Sequence, residues 1–528
     1  MKMFSIKNKL FLGVCFVLLL SSCAKKLDVF PENAATQEQV YSTAAGYKSV
    51  LAKVYGAMAL SGNAGPAGAT DIQGLDEGSQ SPFIRGFFNA QELPTDEAIV
   101  SWDDQTIKDF HALRFTTNDP FIYGLYSRLI YNVSLCNEYL RESTDDKMSG
   151  RGIAGAEADE IRKTRGEVRF LRAFNYWCMI DLFGKSTYVT EADVVGAALP
   201  REISRQNLFN YVETELLAIQ NEMGAAKSAE YGRVDRAAAW ALLARLYLNA
   251  QVYTGTARWA DAMTYSEKVI NGGYSLYPNY PTVFMADNDK AKDEFIYAVL
   301  CDGARTKSYG NTSFMVHAAS GDDASAEYGV GGGWYGYRTT RQFVNLFPDP
   351  SGATDKRALF TNLANPDITD VGQYMQGVHV KKWRNIRSDG GAVSDAQARE
   401  FADNDFPVFR LAEMYLIYAE AAVRSSTNTG TALTYVNLVR RRAFGNTSND
   451  FASLTLTNIL EERGRELYWE GHRRTDLVRY NFLTTGSYLW QWKGGSQSGS
   501  AVDSKYNLFP VPQTIRTANP NLTQNTGY

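Results

Sequence analysis

Residues 237–271 read AAAWALLARLYLNAQVYTGTARWADAMTYSEKVIN, and the spacing of their apolar residues predicts two neighbouring helices. Small side chains let such paired helices approach closely, and aromatic rings fill the groove between them. The residues concerned are Ala241, Leu243, Ala244 and Tyr247 on the first helix, and Trp259, Ala262, Tyr265 and Ile270 on the second. One helix pair cannot bury its apolar face alone, so several pairs must stack into a tetratricopeptide-like helical-repeat scaffold.

Helical periodicity continues over most of the chain, including a second pair at 409–425 and 430–444. Two segments interrupt it, and both are rich in Gly, Ser, Asn, Asp and aromatic residues. They hold too many aromatic residues for disorder, and long irregular segments in compact domains usually carry function. We therefore predict a mainly α protein with one domain over 41–528. Its predicted parts are a helical scaffold over about 41–60, 119–300 and 406–480, an irregular, loop-rich ligand lobe over about 61–118 and 301–405, and a C-terminal segment over 481–528.

The first residues have the pattern of a bacterial export signal. Three lysines precede the apolar run Leu10–Leu20, which leads into Ser21-Ser22-Cys23. The run is too short for a transmembrane helix, which needs ~20 apolar residues. Its end resembles a lipobox, in which the cysteine is lipidated; an ordinary signal peptide that ends near a cysteine is the alternative. We predict a signal peptide over 1–22, lipidation of Cys23 and a tether over 23–40.

The mature chain is acidic. Removing residues 1–22 takes three lysines from the 54 Lys and Arg and nothing from the 58 Asp and Glu, so the net charge changes from −4 to −7. Nucleic-acid binding requires a basic surface, so that class of partner is excluded. Cys136, Cys178 and Cys301 show no paired spacing, and we expect them to be small buried side chains.

Patterns that carry catalysis or bind metal are missing from the sequence. The four histidines fall in no ligand spacing, and no GxSxG motif occurs. Gly331, Gly333 and Gly336 match GxGxxG, but no apolar strand precedes them, which argues against a dinucleotide site. Asp103 and Asp104 form a carboxylate pair, as glycosidases require, but adjacent acids on a loop are more often solvated. We predict no catalytic residue, no metal and no cofactor.

Four motifs, in order along the chain, carry a family resemblance. They are RGEVRFLRAFNY at 165–176 with DLFG at 181–184, FPVFRLAEMYL at 406–416 with AEA at 419–421, EERGREL at 461–467 with EGHRR at 470–474, and LFPVP at 508–512 with NPNLTQN at 519–525. Behind a lipobox, this set resembles the SusD/RagB family over nearly the whole chain.

The resemblance implies both an architecture and a role. Family members are outer-membrane lipoproteins that face the exterior, bind an oligosaccharide and deliver it to a SusC-like TonB-dependent transporter, without doing chemistry themselves. A peptide-binding member of the same family is one alternative, and a glycoside hydrolase is another. An acid-rich site without stacked tryptophans would favour the peptide binder.

Charged residues within the motifs also have a structural interpretation. Buried acids and arginines need partners. We expect Arg410, Glu413, Glu466 and Arg473 to form a charged network in the core that fixes the packing of the helices.

The resemblance also implies that the ligand site lies in the two irregular segments. Sugars have apolar C–H faces and hydroxyl edges, so they need flat rings with polar groups beside them. Trp102 and Trp334 are the predicted platforms, whereas four tryptophans on helix faces are expected in the core: Trp177, Trp240, Trp259 and Trp469. The predicted polar or flanking contacts are Asp96, Asp104, Asn311, Tyr335, Tyr337 and Arg338. The alternative is that each ring only fills a loop.

Overall fold

A computed structural model describes residues 36–528. Cys23, the predicted signal peptide and most of the predicted tether lie outside the described residues. The helices are α1 (Gln37–Val40), α2 (Ala44–Gly56), α3 (Phe83–Glu92), α4 (Gln105–His111), α5 (Pro120–Glu142), α6 (Asp145–Gly150), α7 (Gly155–Leu182), α8 (Arg205–Ile219), α9 (Arg236–Leu248), α10 (Ala250–Thr254), α11 (Trp259–Ile270), α12 (Thr312–Ala318), α13 (Arg341–Val344), α14 (Leu411–Ser425), α15 (Thr429–Phe444), α16 (Leu456–Leu467), α17 (Arg473–Arg479) and α18 (Gln513–Ala518).

The strands are short and pair in antiparallel twos. They are β1 (Ile99–Val100), β2 (Lys185–Tyr188), β3 (Arg201–Ser204), β4 (Phe295–Val299), β5 (Tyr337–Arg338), β6 (Phe360–Thr361), β7 (His379–Val380) and β8 (Phe406–Arg410). The pairs are β1 with β5, β2 with β3, β4 with β8, and β6 with β7.

The scaffold helices begin and end at residues that satisfy their terminal backbone groups. Asp119 caps α5 by accepting hydrogen bonds from the backbone N–H groups of Phe121 and Ile122, and proline occupies the first position of the helix. α7 ends just before Gly184, whose φ of +69° is a left-handed value that favours glycine.

Both predicted helix pairs are present in the scaffold. α9 packs against α11, α11 against α14, and α14 against α15, while α5, α7 and α8 pack in succession. One apolar core runs through these helices and beneath the loop-rich part of the chain. The mainly α fold with a tetratricopeptide-like scaffold is confirmed. Within residues 36–528, no helix has both the length and the apolar character needed to span a membrane.

Two of the four tryptophans expected in the core are only half-buried. Trp177 and Trp469 are each 1% exposed, as predicted. Trp240 and Trp259 lie at the edge of the scaffold instead. The indole N–H of Trp240 donates to Gln220 at 3.0 Å, so this ring has a polar edge that keeps it near the surface.

A buried helix inside the segment 61–118 was not predicted from the sequence. Every residue of α3, from Phe83 to Glu92, is buried. Its apolar and polar residues do fall on opposite faces, but the helix has only ten residues, no side-chain cap at Pro82 and a glycine at position 86, so the sequence gives it no clear start signal.

The last part of the predicted scaffold segment 406–480 breaks between α16 and α17. Trp469 and Gly471 have φ values of +59° and +85° at this break. A Cβ atom at Gly471 would lie 2.3 Å from the ring of Phe87 on α3. Glycine is thus required where the break packs against α3.

Buried charges tie the C-terminal helices to the rest of the scaffold, as predicted. Arg410 binds Glu466 at 2.6 Å, Glu470 at 2.6 Å and Glu294 at 3.0 Å, and all four side chains are buried. Glu466 also binds Arg442. Glu413 pairs instead with Arg245 of α9, and Arg473 pairs with Asp96. The four predicted residues are therefore all in buried ion pairs, but only Arg410 and Glu466 share one cluster.

Two buried carboxyl groups, Glu92 and Glu97, hold the break before α17. Glu92 accepts from the N–H of Gly471 at 2.6 Å, and Glu97 accepts from the N–H of Trp469 at 3.0 Å. Burial raises the pKa of Glu92 to about 7. Burial, together with the charge of Glu92, raises the pKa of Glu97 well above its usual range.

We expect Glu466→Gln to lower the free energy of unfolding by about 3–5 kcal/mol, because it leaves buried guanidinium groups without a charged partner. Denaturant unfolding measures this. Glu461→Gln on the same helix is the matched control: Glu461 is 43% exposed, and its contact with Arg465 is 3.5 Å. The control should cost less than about 1 kcal/mol. Equal effects of the two substitutions would contradict a structural role for the network.

Raised carboxyl pKa values predict a loss of stability as pH rises. The contribution of Glu92 and Glu97 is complete below the pKa of an unfolded glutamate, about 4.3, and is lost as pH rises through the folded value, about 7 for Glu92. Glu97→Gln keeps an acceptor for the N–H of Trp469 and cannot ionise. Unfolding free energies between pH 5 and 8 should therefore fall less steeply in this variant than in the wild type. An unchanged slope would mean that the pair does not titrate in this range.

Candidate functional site

A short strand pair brings together two segments that are far apart in the sequence. β1 pairs with β5 so that Ile99 lies opposite Arg338 and Val100 opposite Tyr337. The antiparallel ladder then continues, because the N–H of Ser101 donates to the carbonyl oxygen of Gly336 at 2.9 Å. Trp102 follows β1 and Trp334 precedes β5, so this register places the two predicted platforms side by side.

Three half-buried aromatic rings form a continuous row. The rings of Trp102 and Trp334 lie 6.4 Å apart with 47° between their planes, and Tyr309 lies 6.3 Å from Trp334 with 50° between theirs. The indole N–H of Trp102 donates to the carbonyl oxygen of Trp334 at 2.6 Å. We call Trp102, Trp334 and Tyr309 the aromatic row.

Trp334 is supported by a histidine. The ring of His317, on α12, stacks on Trp334 with the centroids 4.9 Å apart and the planes 20° apart. Both imidazole nitrogens face backbone carbonyl oxygens, Gly332 at 2.5 Å and Glu400 at 2.9 Å. Burial lowers the pKa of His317. His317 thus connects the backbone of Gly332, in the glycine-rich strip 329–336, to the backbone of Glu400. Its ring also covers one face of Trp334.

Trp102 is supported by a cation and a buried tyrosine. The guanidinium carbon of Arg85 lies 5.5 Å from the Trp102 ring and 4.5 Å from the ring of Phe314. Tyr337 packs edge-on against Trp102 at 5.3 Å. Arg85 donates through Nη1 to the carbonyl oxygen of Gly78, but its Nε has no hydrogen-bond partner within the described chain. Arg85 therefore has an unmet donor beside the aromatic row.

The glycine-rich strip lets backbone and rings approach closely. A Cβ atom at Gly336 would lie 2.5 Å from the indole of Trp102, and one at Gly333 would lie 2.5 Å from backbone oxygens of the segment after α12. By contrast, a Cβ atom at Gly332 would meet nothing within 4 Å. Because Gly336 has no side chain, the indole of Trp102 can pack directly against the backbone at this position.

Asp96, a predicted ligand contact, is instead a packing residue. It is 0% exposed, and its carboxylate accepts from Arg473 twice at 2.8 Å and from the hydroxyl of Tyr488 at 2.6 Å. Both carboxylate oxygens are thus occupied and shielded from solvent. The expectation that Asp96 contacts a ligand is corrected accordingly.

Asn311, Tyr337 and Arg338 are also too buried to contact a ligand. Asn311, 1% exposed, caps α12 and donates to the carbonyl oxygen of Thr306. Tyr337 and Arg338 are 1% and 0% exposed because they form β5. Burial lowers the pKa of Arg338 to about 10. These three predicted flanking contacts are corrected to buried residues, of which Tyr337 packs against Trp102 from behind.

Asp104 and Tyr335 remain exposed next to the platforms. Asp104 caps α4 through one carboxylate oxygen, which accepts from Thr106. Tyr335 is 42% exposed, and its hydroxyl donates to Asp322 at 2.5 Å. Both therefore remain predicted polar contacts for a ligand at the edge of the aromatic row.

Sequence reasoning missed Tyr309, Arg85 and His317. Tyr309 lies within the predicted ligand lobe and differs from its other tyrosines only by its tertiary position. Arg85 lies on the helix that the sequence did not reveal. His317 falls in no ligand spacing, and its role as a support for Trp334 depends on packing alone.

The arrangement suits a ligand with flat apolar faces and polar edges. The aromatic row offers the faces, and the exposed side chains of Asp104 and Tyr335 offer polar atoms beside it. The exposed acid Asp103 binds Lys108 at 2.8 Å, which lowers the pKa of its carboxyl group. A general acid for glycoside cleavage needs a raised pKa, so Asp103 is unsuited to that role.

The principal cavity of the described chain lies elsewhere. It measures about 740 Å³ and lies between α2, the first turns of α7 and β4. Its lining is mainly apolar and includes no member of the aromatic row. The candidate site is therefore an open face, whereas this cavity is a separate feature of the scaffold.

Comparisons with known proteins all indicate the same family. A model of the SusD family matches residues 348–528. The chain is 34% identical to the starch-binding protein SusD of Bacteroides thetaiotaomicron, over 96% of this chain and 96% of that protein. SusD-like protein P2 of Formosa agariphila is 25% identical over 73% of this chain and 78% of its own length.

Solved structures share the fold. Surface glycan-binding protein A from Bacteroides uniformis superposes with a TM-score of 0.70 at 18% identity, over 92% of this chain and 99% of that chain. A SusD superfamily protein from Parabacteroides distasonis superposes with a TM-score of 0.68 at 22% identity, over 94% of this chain and 100% of that chain. At these identities, the superpositions support the fold alone.

We expect Gly336→Ala to lower the free energy of unfolding by roughly 1–3 kcal/mol, because the added methyl group overlaps the indole of Trp102. Gly332→Ala, in the same strip, is the matched control and should have little effect or stabilise the chain slightly. Denaturant unfolding of both variants measures the difference. If Gly336→Ala is as stable as Gly332→Ala, the close approach of Trp102 to the backbone is contradicted.

Proposed function

Because this chain belongs to the SusD family, we propose that it is a surface lipoprotein that binds an oligosaccharide of the starch type. It passes this oligosaccharide to a SusC-like TonB-dependent transporter in the outer membrane. The aromatic row is the ligand-binding face. The observation that carries this proposal is the succession of three half-buried rings, Trp102, Trp334 and Tyr309, with the exposed polar side chains of Asp104 and Tyr335 beside them.

The geometry of the row supports a curved sugar chain. Successive ring planes are tilted by 47° and 50°, so a ligand that touches all three rings must bend along its length. Chains of α-1,4-linked glucose curve in this way, whereas chains of β-1,4-linked glucose are straight and flat. This agrees with the 34% identity to a protein named for starch binding.

The supports behind the rings favour binding. His317 and Tyr337 hold Trp334 and Trp102 in place before a ligand arrives. Rings fixed in this way lose little conformational entropy when a ligand binds, so more of the contact energy remains as affinity.

Membrane attachment in this proposal depends on Cys23. Lipid chains on that cysteine tether a soluble domain by burying methylene groups. The domain then lies at the cell surface beside its transporter, with the sugar-binding face free. The chain itself does no chemistry on the sugar, and a row of aromatic rings favours a sugar ligand over a peptide.

We expect Trp102→Ala and Trp334→Ala each to weaken binding of maltoheptaose roughly tenfold or more, because truncating a buried aromatic contact costs more than ~1 kcal/mol. Isothermal titration calorimetry and thermal melting should be measured on the same samples. Trp240→Ala is the matched control: it is also half-buried, but it lies on the scaffold helix α9. The control should bind normally.

Further measurements on the same proteins test the ligand class and the absence of catalysis. Cellohexaose should bind more weakly than maltoheptaose, and maltoheptaose should be recovered uncut after incubation. If Trp102→Ala and Trp334→Ala both bind maltoheptaose with normal affinity, the binding site lies elsewhere. Early melting with normal affinity at low temperature would show that the rings only fill their loops. Binding of peptides in place of sugars would favour the other ligand class.

A further inference from the structure

The loop between β2 and β3 exposes an uncharged apolar tip. Residues 194–200 read VVGAALP and contain no charged or hydrogen-bonding side chain. Val194 is 75% exposed, Val195 80% and Leu199 54%, which makes them the three most exposed large apolar residues of the described chain apart from Met375. Single exposed apolar residues are ordinary, but a cluster of them on one loop marks an interaction site. We call residues 194–199 the apolar tip.

Hydrogen bonds hold both stems of this loop. On the first stem, Arg141 of α5 donates to the carbonyl oxygens of Glu191 at 3.3 Å and Asp193 at 3.5 Å. On the second stem, the side-chain amide of Asn519 donates to the carbonyl oxygen of Pro200 at 2.8 Å, and that of Asn521 donates to the same oxygen at 3.2 Å. The fold therefore presents the apolar tip in a defined place.

The same helix receives the start of the described chain. Gln37 donates to Glu138 of α5 at 2.6 Å, and Glu138 pairs with Arg141 at 2.8 Å. Two side chains thus connect Gln37, next to the end of the predicted tether, to the stem of the apolar tip. Twelve residues lie between Cys23 and Thr36, so the two can be at most about 45 Å apart. The described chain therefore begins beside the stem of the apolar tip.

We propose that the apolar tip is a second membrane contact, which places Val194, Val195 and Leu199 at the boundary between headgroups and acyl chains. This proposal rests on the lipid anchor of the proposed function. With the tether entering beside it, the tip would fix the orientation of the domain on the membrane surface. A single lipid-bearing cysteine leaves a domain free to rotate, and a second contact removes that freedom.

The composition of the tip favours lipid over a protein partner. Protein interfaces carry about one hydrogen bond per 100–200 Å², supplied largely by polar side chains. The apolar tip has no polar side chain to offer. Small and aliphatic side chains without charge suit an acyl-chain boundary, where unpaired polar groups are costly.

An environment-sensitive fluorescent probe on Val195→Cys tests this. The full lipidated chain is reconstituted into vesicles of phosphatidylethanolamine and phosphatidylglycerol, with or without brominated acyl chains. Cys136, Cys178 and Cys301 are buried, and burial raises the pKa of Cys136 and Cys301 to about 12, so the label reacts with the introduced thiol. Ser448→Cys, in an exposed loop after α15, is the matched control.

The expected result is a blue-shifted probe at position 195 that brominated lipid quenches, beside a probe at 448 that stays water-like. A water-like probe at 195 on vesicles that float with bound protein would overturn the proposal. A blue shift that occurs only after a transporter is added would also overturn it, because the partner would then be a protein. Protein that fails to float would overturn the lipid anchor and, with it, this inference; flotation thus distinguishes the two failures.

Discussion

The placement of the candidate site depends on the buried ion pair between Asp96 and Arg473. Two hydrogen bonds of 2.8 Å join the carboxylate to the guanidinium group. The backbone oxygen of Asp96 also accepts from the hydroxyl of Thr340 at 2.8 Å. One residue therefore ties helix α17 to the segment before β1 and to the segment after β5. Breaking such a pair leaves a buried charge without compensation, which costs about 3–5 kcal/mol.

This constraint explains how a loop-rich region can hold rings in fixed positions. β1 and β5 have only two residues each, too few to be stable as an isolated pair. The buried contacts of Asp96 with Arg473 and Thr340 on one side, and helix α12 on the other, keep the two strands in register. Trp102 and Trp334 are consequently exposed on one side and tightly supported on the other. Such preorganisation is what a sugar-binding face needs, since each sugar contact is weak.

The sequence predicted the scaffold well because amphipathic helices repeat their pattern locally. It missed α3 because this helix is short, begins at Pro82 without a side-chain cap and contains Gly86. The platforms Trp102 and Trp334 were recognisable from residue type and from their glycine-rich and polar surroundings. Their polar neighbours were not: Asp96 and Arg473 are 377 positions apart, so nothing local reveals that they pair. Tyr337 and Arg338 lie two and three positions after the exposed Tyr335, yet β-pairing buries both.

The central claim is that the aromatic row is the face that binds a glycan. The most direct test is a crystal structure of the chain with bound maltoheptaose. The account predicts glucose rings stacked on Trp102 and Trp334, with the chain bending toward Tyr309. Sugar bound at another face, with the aromatic row still open to solvent, would contradict it.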